Sequence, residues 1–284
     1  MSRTVYVNGQ YLPEEDAKIS IFDRGFIFAD GVYEVASVLK GKLVDNTAHL
    51  VRLKRSLSEL RMGEPATGEE ITAIMKELVK RNDLDEGLVY LQVTRGASDR
   101  DFGFPSADVK PTLVMFTQVM NLLASPKAAS GIKVIFVDDI RWGRRDIKTV
   151  QLLAPVLAKQ AAIDAGVQDA WLIEDGFITE GSSNNAYIVK DGQVITRGLS
   201  NNILHGITRR AALRLAAQES IDLVERSFTP AEALDADEAF VTSATTFVTP
   251  VVEIDGKTIG NGKPGPIASR LREIYIEDAL NNLE

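Results

Sequence analysis

Trp171-Leu172-Ile173-Glu174-Asp175-Gly176-Phe177-Ile178-Thr179-Glu180 runs straight into Gly181-Ser182-Ser183-Asn184-Asn185. Two β-prone runs, Trp171–Glu174 and Phe177–Thr179, flank Asp175-Gly176, a dipeptide that supplies the positive φ of a tight hairpin turn. The stretch therefore predicts a hairpin whose second strand ends on Glu180. The polar run Gly181–Asn185 interrupts the sheet there, where a ligand could approach the backbone. The same signal recurs along the chain. Asn8-Gly9 separates Thr4–Val7 from Gln10–Leu12, and Lys40-Gly41-Lys42 follows Tyr33–Leu39. Asp191-Gly192 and Asp255-Gly256 also sit between apolar segments. Much of the chain reads as antiparallel sheet.

Helices are interspersed, so the class is α+β. In Thr47–Met62, Leu50, Leu53, Leu57 and Leu60 fall on one face at helical spacing. Thr67-Gly68-Glu69-Glu70 reads as a capping box that opens a helix with Ile71, Ile74, Met75 and Leu78 inward. Val150–Ala165, closed by Gly166, is another helical pattern, although Pro155 argues for a later start. Ile207–Gln218 and Ile267–Leu280 complete the set. A boundary is expected at 122–131, between the strand-like Thr112–Val119 and Ile132–Val137. It divides an α+β domain (1–121) from a larger sheet-rich domain (132–284), and ligand sites favour such clefts.

The 284 residues carry 45% hydrophobic side chains, enough for a sizeable core, and a formal net charge of −8. That charge argues against nucleic-acid or anionic-membrane partners. No apolar run reaches the roughly 18 residues of a membrane span, and the first residues lack the apolar core of a signal peptide. A cytoplasmic protein is the expectation. The absence of cysteine removes disulfides, thiolate metal sites and cysteine nucleophiles, and two histidines make a histidine-rich metal site unexpected.

Two groups stand out chemically. Lys148, in Asp146-Ile147-Lys148-Thr149, follows the short extended run Asp139–Arg141 and precedes a helix. Glu180 ends the hairpin strand. A lysine that forms an imine and a carboxylate that keeps a ring nitrogen protonated are what a pyridoxal phosphate enzyme most needs. Taken alone, each residue reads more readily as a solvated lysine or an ordinary turn glutamate. Gly206-Ile207-Thr208-Arg209 opens a helix and could face an anion, or be an ordinary helix start. Arg52 lies beside the apolar stripe of its helix and either turns inward or stays solvated. Ser243-Ala244-Thr245-Thr246 offers further donors at a strand end. Arg95–Arg100 follows the strand Val89–Thr94. An arginine there could grip a carboxylate by two parallel hydrogen bonds, or be a loop cation balanced by Asp99 and Asp101.

Six motifs occur in order: Asp30-Gly31-Val32-Tyr33-Glu34-Val35, His49-Leu50-Val51-Arg52-Leu53, Thr94-Arg95-Gly96, Asp146-Ile147-Lys148, Glu180-Gly181-Ser182-Ser183-Asn184 and Gly206-Ile207-Thr208-Arg209. Together, across nearly the whole chain, they resemble the fold-type IV pyridoxal phosphate transaminases, and among these the D-amino acid (D-alanine) group. The resemblance implies a two-domain architecture, with a smaller N-terminal α+β domain and a sheet-rich, pseudo-barrel C-terminal domain. It implies a homodimer with pyridoxal 5′-phosphate between the domains. It makes Lys148 the imine lysine and proton shuttle, and Glu180 the partner of the ring nitrogen. Arg52, Ile207 and Thr208 would hold the phosphate. Tyr33 would line the substrate pocket, with Ser182 and Ser183 nearby, and Arg100 would bind the substrate carboxylate from a loop of the other subunit. The partners implied are an amino donor and a 2-oxo acid such as 2-oxoglutarate or pyruvate.

The chain departs from the family pattern twice. Phe102 stands where the D-amino acid group carries a histidine. Ala244 stands where a phosphate-binding threonine is expected, which leaves Ser243, Thr245 or backbone amides to substitute. Relatives fit less well. Branched-chain L-amino acid transaminases carry a tyrosine where this chain has Leu153, and read differently across Glu180–Asn185. Aminodeoxychorismate lyase shares the lysine and glutamate but cleaves its substrate; the carboxylate loop at Arg95–Arg100 argues for the transaminase, with the lyase kept as an alternative. (R)-Amine transaminases stay open because of Phe102, as does a non-enzymatic anion-binding protein.

Overall fold

A computed structural model describes residues 2–284 and divides the chain into two compact units. The first comprises Met1–Asn121, Ile147–Gln151 and Asn282–Glu284; the second comprises Leu122–Asp146 and Leu152–Asn281. Leu122–Gly131 thus lies in the second unit, where 126–130 is helical.

The first unit is built from β1 (Thr4–Val7), β2 (Gln10–Pro13), α1 (Arg24–Phe28), β3 (Gly31–Leu39), β4 (Lys42–Leu43), α2 (Asn46–Glu59), α3 (Gly68–Arg81), β5 (Gly87–Thr94) and β6 (Thr112–Val119). Its six strands form one antiparallel sheet in the order β2-β1-β6-β5-β3-β4. Leu53 and Leu57 of α2 and Ile71, Met75 and Leu78 of α3 join Val32, Ala36, Val89, Leu91 and Met115 of the strands in one buried cluster. Apolar residues at helical spacing thus meet alternating strand residues, and the area removed from water holds the helices on the sheet.

The second unit contains α4 (Pro126–Ser130), β7 (Ile132–Asp138), α5 (Leu153–Asp164), β8 (Asp169–Glu174), β9 (Phe177–Gly181), β10 (Asn185–Lys190), β11 (Gln193–Thr196), α6 (Ile207–Gln218), β12 (Leu223–Glu225), α7 (Pro230–Leu234), β13 (Glu238–Ser243), β14 (Phe247–Ile254), β15 (Lys257–Thr258) and α8 (Pro266–Asn281). Its nine-stranded sheet runs β12-β11-β10-β13-β14-β7-β8-β9, with β15 on β14. Trp171, Ile178, Ile188, Phe228, Val241 and Ile254 anchor its core. Among the described residues no helix is long and apolar enough to cross a membrane.

All five turn dipeptides form hairpins. Asn8, Lys40, Asp175, Asp191 and Asp255, each followed by glycine, have φ between 45° and 53°, and the glycines are positive too. Two consecutive positive φ values match the right-handed twist of the flanking strands. One feature differs from the sequence reading. Strand β7 pairs in parallel with both β14 and β8, and β11 pairs in parallel with β12, so the second sheet is mixed. Helix α5 begins at Leu153, the later start that Pro155 argued for, which puts Pro155 in the first turn, where its missing N–H costs no helical bond. Val150 instead donates its N–H to the Gly31 carbonyl in the first unit.

Candidate active site

Lys148 is fixed by its backbone. Its carbonyl accepts from Tyr33 N–H at 3.0 Å, its own N–H reaches Ser56 Oγ at 3.4 Å, and Thr149 bridges to Val32. Ile147 beside it is buried in the first unit's core. Residues 148–150 therefore lie along the start of β3, and the Lys148 side chain emerges over the Tyr33 ring, with Nζ 4.0 Å from the centroid. Among the described residues the ammonium has no hydrogen bond or ion pair. Tyr33 stacks on Tyr90 at 5.6 Å, and Tyr90 on Phe116 at 4.7 Å, so the ring below the amine is backed by two more.

Glu34, the residue after Tyr33 on β3, points to the opposite face, as strand alternation requires. There Arg52 of α2 grips it with Nε at 2.8 Å and Nη2 at 2.7 Å, and His49 Nδ1 lies 2.7 Å away. All three are buried. Burial alone would raise the Glu34 pKa, but Arg52 and then His49 outweigh it and carry it from 4.5 down to about 2. Arg52 thus turns inward, in a buried triad with Glu34 and His49.

The 95–104 segment belongs to the first unit as well. Arg95 is buried; Nε and Nη2 clasp Asp30 at 2.7 and 3.0 Å, and its Nη groups reach the carbonyls of Leu60 and Arg61. Its guanidinium is committed to anchoring the loop, not free for a ligand. Arg100 is exposed and makes no hydrogen bond or ion pair among the described residues. It stacks instead, its Cζ 5.4 Å from the Phe28 ring and 5.3 Å from Phe102, and those two rings lie 5.4 Å apart. Phe102 itself is 78% exposed.

In the second unit the hairpin delivers Glu180 to the end of β9, buried. Its carboxylate accepts from Arg141 Nη1 at 2.5 Å, from Leu204 N–H at 3.1 Å to each oxygen, and from Asn185 Nδ2 at 2.9 Å. Burial pushes the Glu180 carboxyl up from its ordinary value, and the Arg141 cation and the Leu204 amide oppose that. Arg141 is in turn clasped by Asp139, through Nε at 2.9 Å and Nη2 at 2.7 Å. Asp139 also takes the Thr179 hydroxyl at 2.7 Å and faces Arg145, which pairs with Glu174 at 2.6 Å. The arrangement is a ladder of alternating charge that runs from the half-buried Glu174 to the buried Glu180. Sequence reasoning singled out Glu180 and passed over Arg141, Asp139 and Asn185. The available signal was the Asp139–Arg141 pair closing an apolar run, since charge beside buried strands needs a partner.

Asn185 links Glu180 to the start of α6: its Nδ2 also donates to the Leu204 carbonyl at 3.0 Å. A Cβ on Gly206 would come 2.1 Å from Asn185 Oδ1, so only glycine fits this close approach. No side chain caps α6, and Ile207, Thr208 and Arg209 in its first turn are buried. The Thr208 hydroxyl has no hydrogen-bond partner among the described residues. Asn185 also stands opposite Thr242 on β13, one residue before the turn Ser243–Thr246. Within that turn Ser243 Oγ and Thr246 Oγ1 share a 2.8 Å bond, which leaves the Thr245 hydroxyl without a partner among the described residues. Ala244 contributes backbone alone. Ser182 is buried, its Oγ 2.5 Å from Asp169, which also takes Asn184 Nδ2 at 2.5 Å; Ser183 is exposed. Ser182 is therefore occupied in holding the turn after Glu180.

An uncapped helix start with buried N–H groups, a hydroxyl beside it, and a carboxylate carrying fixed donors suit a ligand with a phosphate at one end and a basic ring nitrogen at the other. Among the described residues no group of three or more His, Cys, Asp or Glu side chains is arranged to hold a metal ion.

Comparison with known proteins agrees with this chemistry. A model of the amino-transferase class IV family matches residues 31–254. D-Alanine aminotransferase of Staphylococcus haemolyticus is 39% identical over 276 residues, covering 96% of this chain and 98% of the relative. D-Alanine aminotransferase of Bacillus licheniformis is 38% identical, covering 98% of this chain and 96% of the relative. Among solved structures, the branched-chain aminotransferase of the thermophilic archaeon Thermoproteus uzoniensis with norvaline superposes with a TM-score of 0.88 at 25% identity, covering 99% of this chain and 96% of that one.

Proposed function

Since the chain belongs to the amino-transferase class IV family, we propose that it moves the amino group of a D-amino acid, D-alanine foremost, to a 2-oxo acid such as 2-oxoglutarate or pyruvate, with pyridoxal 5′-phosphate carried on Lys148. The observation that carries the reading is its nearly full-length identity to D-alanine aminotransferases. When bound, pyridoxal phosphate supplies an aldehyde that condenses with amines and a protonated ring that takes up the electron pair left by loss of the α-proton.

The chain's residues divide the remaining work. Lys148 Nζ takes the proton from the donor's α-carbon and returns it during transfer, general base and acid work by one group. The Tyr33 ring face beneath Nζ stabilises it while it carries that proton. Glu180 holds a proton at the ring nitrogen, and Arg141, Leu204 N–H and Asn185 fix its carboxylate so that it need not reorganise. The α6 start, with Ile207 and Thr208, binds the phosphate, aided by Arg52 and by the Ser243–Thr245 turn around Ala244. Arg100 binds the donor's carboxylate, and Ser183 lies at the substrate. The apolar residues Leu153, Val156, Leu157 and Ile163, exposed on α5, support a homodimer, and the reading is of a cytoplasmic enzyme.

Phe102 favours a second reading. It offers no donor to a carboxylate and presents an exposed ring beside Arg100, so (R)-amines with aromatic groups are candidate donors. One donor screen with 2-oxoglutarate or pyruvate decides. D-Alanine is expected to react, (R)-1-phenylethylamine weakly, and L-alanine or L-leucine not at all. Faster turnover of the L-amino acids would overturn the proposal.

A further inference from the structure

Arg272, on α8, holds the Ser243–Phe247 turn from beneath. Nη1 donates to the carbonyls of Thr246 and Val248 at 2.8 and 2.9 Å, and Nη2 to those of Leu122 and Leu123 at 2.5 and 3.3 Å. It has no carboxylate partner among the described residues. A partly buried arginine without a counter-charge is unusual, because desolvating the cation costs free energy that an ion pair normally offsets. Here carbonyl dipoles alone receive it, and its positive charge stays uncompensated.

The turn it holds is strained. Phe247 has φ +56°, a conformation a bulky side chain rarely adopts, and its ring is fully buried. Such a residue persists only where its surroundings over-determine it. Tyr275 packs on its ring at 5.1 Å, Arg272 Cζ lies 5.7 Å from it, and the Arg272 fork grips the carbonyls on either side. Both partners come from α8, which packs against β13 and β14, as does α6. The turn also follows Thr242, opposite the Asn185 that contacts the start of α6.

We propose that Arg272 is a positioning residue of the phosphate pocket: it locks the Ser243–Phe247 turn in its strained form and adds an unneutralised positive charge behind it. This compensates for Ala244, which brings no hydroxyl. The inference rests on the assignment of pyridoxal phosphate to this protein. It makes the phosphate end of the ligand, not the ring, the part that senses Arg272.

The test is a binding measurement on the full-length chain freed of cofactor, titrated separately with pyridoxal phosphate and with pyridoxal, its phosphate-free counterpart. The readout is the ratio of the two dissociation constants, which general loosening of the fold leaves unchanged. Arg272→Met, which loses charge and fork, is expected to reduce the preference for the phosphorylated form about ten-fold or more, the equivalent of one charge-assisted contact. Arg272→Lys, which keeps the charge and loses the fork, is expected to reduce it less, and carries the same criterion should the methionine variant not fold. An unchanged ratio in the variant that folds overturns the proposal. Wild-type protein that binds neither compound overturns the functional assignment itself, and the inference with it.

Discussion

Glu34 is the residue on which the buried charge of the first unit turns. Strand alternation sends Tyr33 and Glu34 to opposite faces of β3, so one strand places an aromatic ring under Lys148 and a carboxylate between His49 and Arg52. The carboxylate's pKa lies at about 2 in the folded chain against an ordinary 4.5. A depressed pKa contributes stability that is present above 4.5 and is lost as pH falls toward 2. Its size is roughly 3 kcal/mol at neutral pH. Glu34→Gln is therefore expected to be less stable than wild type by about that amount at neutral pH, with the two converging as urea melts are repeated at lower pH. A gap that stays constant down to about pH 2 would contradict the assignment. Residues of this kind were only half legible in the sequence. His49 and Arg52 lie three residues apart on one helix, but their acceptor comes from a strand, and only the fold brings the three together.

At the scale of elements, local chemistry was read most surely. The Asp-Gly and Asn-Gly turns act through φ at two adjacent residues, which no distant contact needs to enforce, and each formed its hairpin. The α3 capping box is equally local. Thr67 Oγ1 accepts from Glu70 N–H at 3.2 Å and Glu70 Oε2 from Thr67 N–H at 2.7 Å. Thr67→Ala should lower stability by about 1 kcal/mol, seen as a shifted urea midpoint with an unchanged slope. Unaltered stability would show that solvent replaces the cap at no cost. What escaped the sequence was set by long-range pairing. The parallel pairing of β7 with β14 joins residues more than a hundred positions apart. Pro155 signalled the late start of α5, but not the bond from Val150 N–H to the distant Gly31 carbonyl that goes with it.

At the scale of the whole molecule, the chain crosses between its two units more than once. Ile147–Gln151 and Asn282–Glu284 belong to the first unit although the residues preceding each belong to the second. The five-residue crossing carries Lys148, whose surroundings a local reading could not supply: the Tyr33 ring, the Ser56 hydroxyl and the core seat of Ile147 all come from distant sequence. Arg141 and Arg272 were missed for the same reason, since a cation's role is fixed by which acceptors the fold brings to it. The central claim is that Lys148 is the lysine that bears the cofactor. Borohydride reduction of the cofactor-loaded protein, followed by peptide mapping, tests it most directly. The expected result is a single reduced pyridoxyl adduct on Lys148, absent from Lys148→Ala. An adduct on another lysine, or none in a protein that binds the cofactor, would contradict the account.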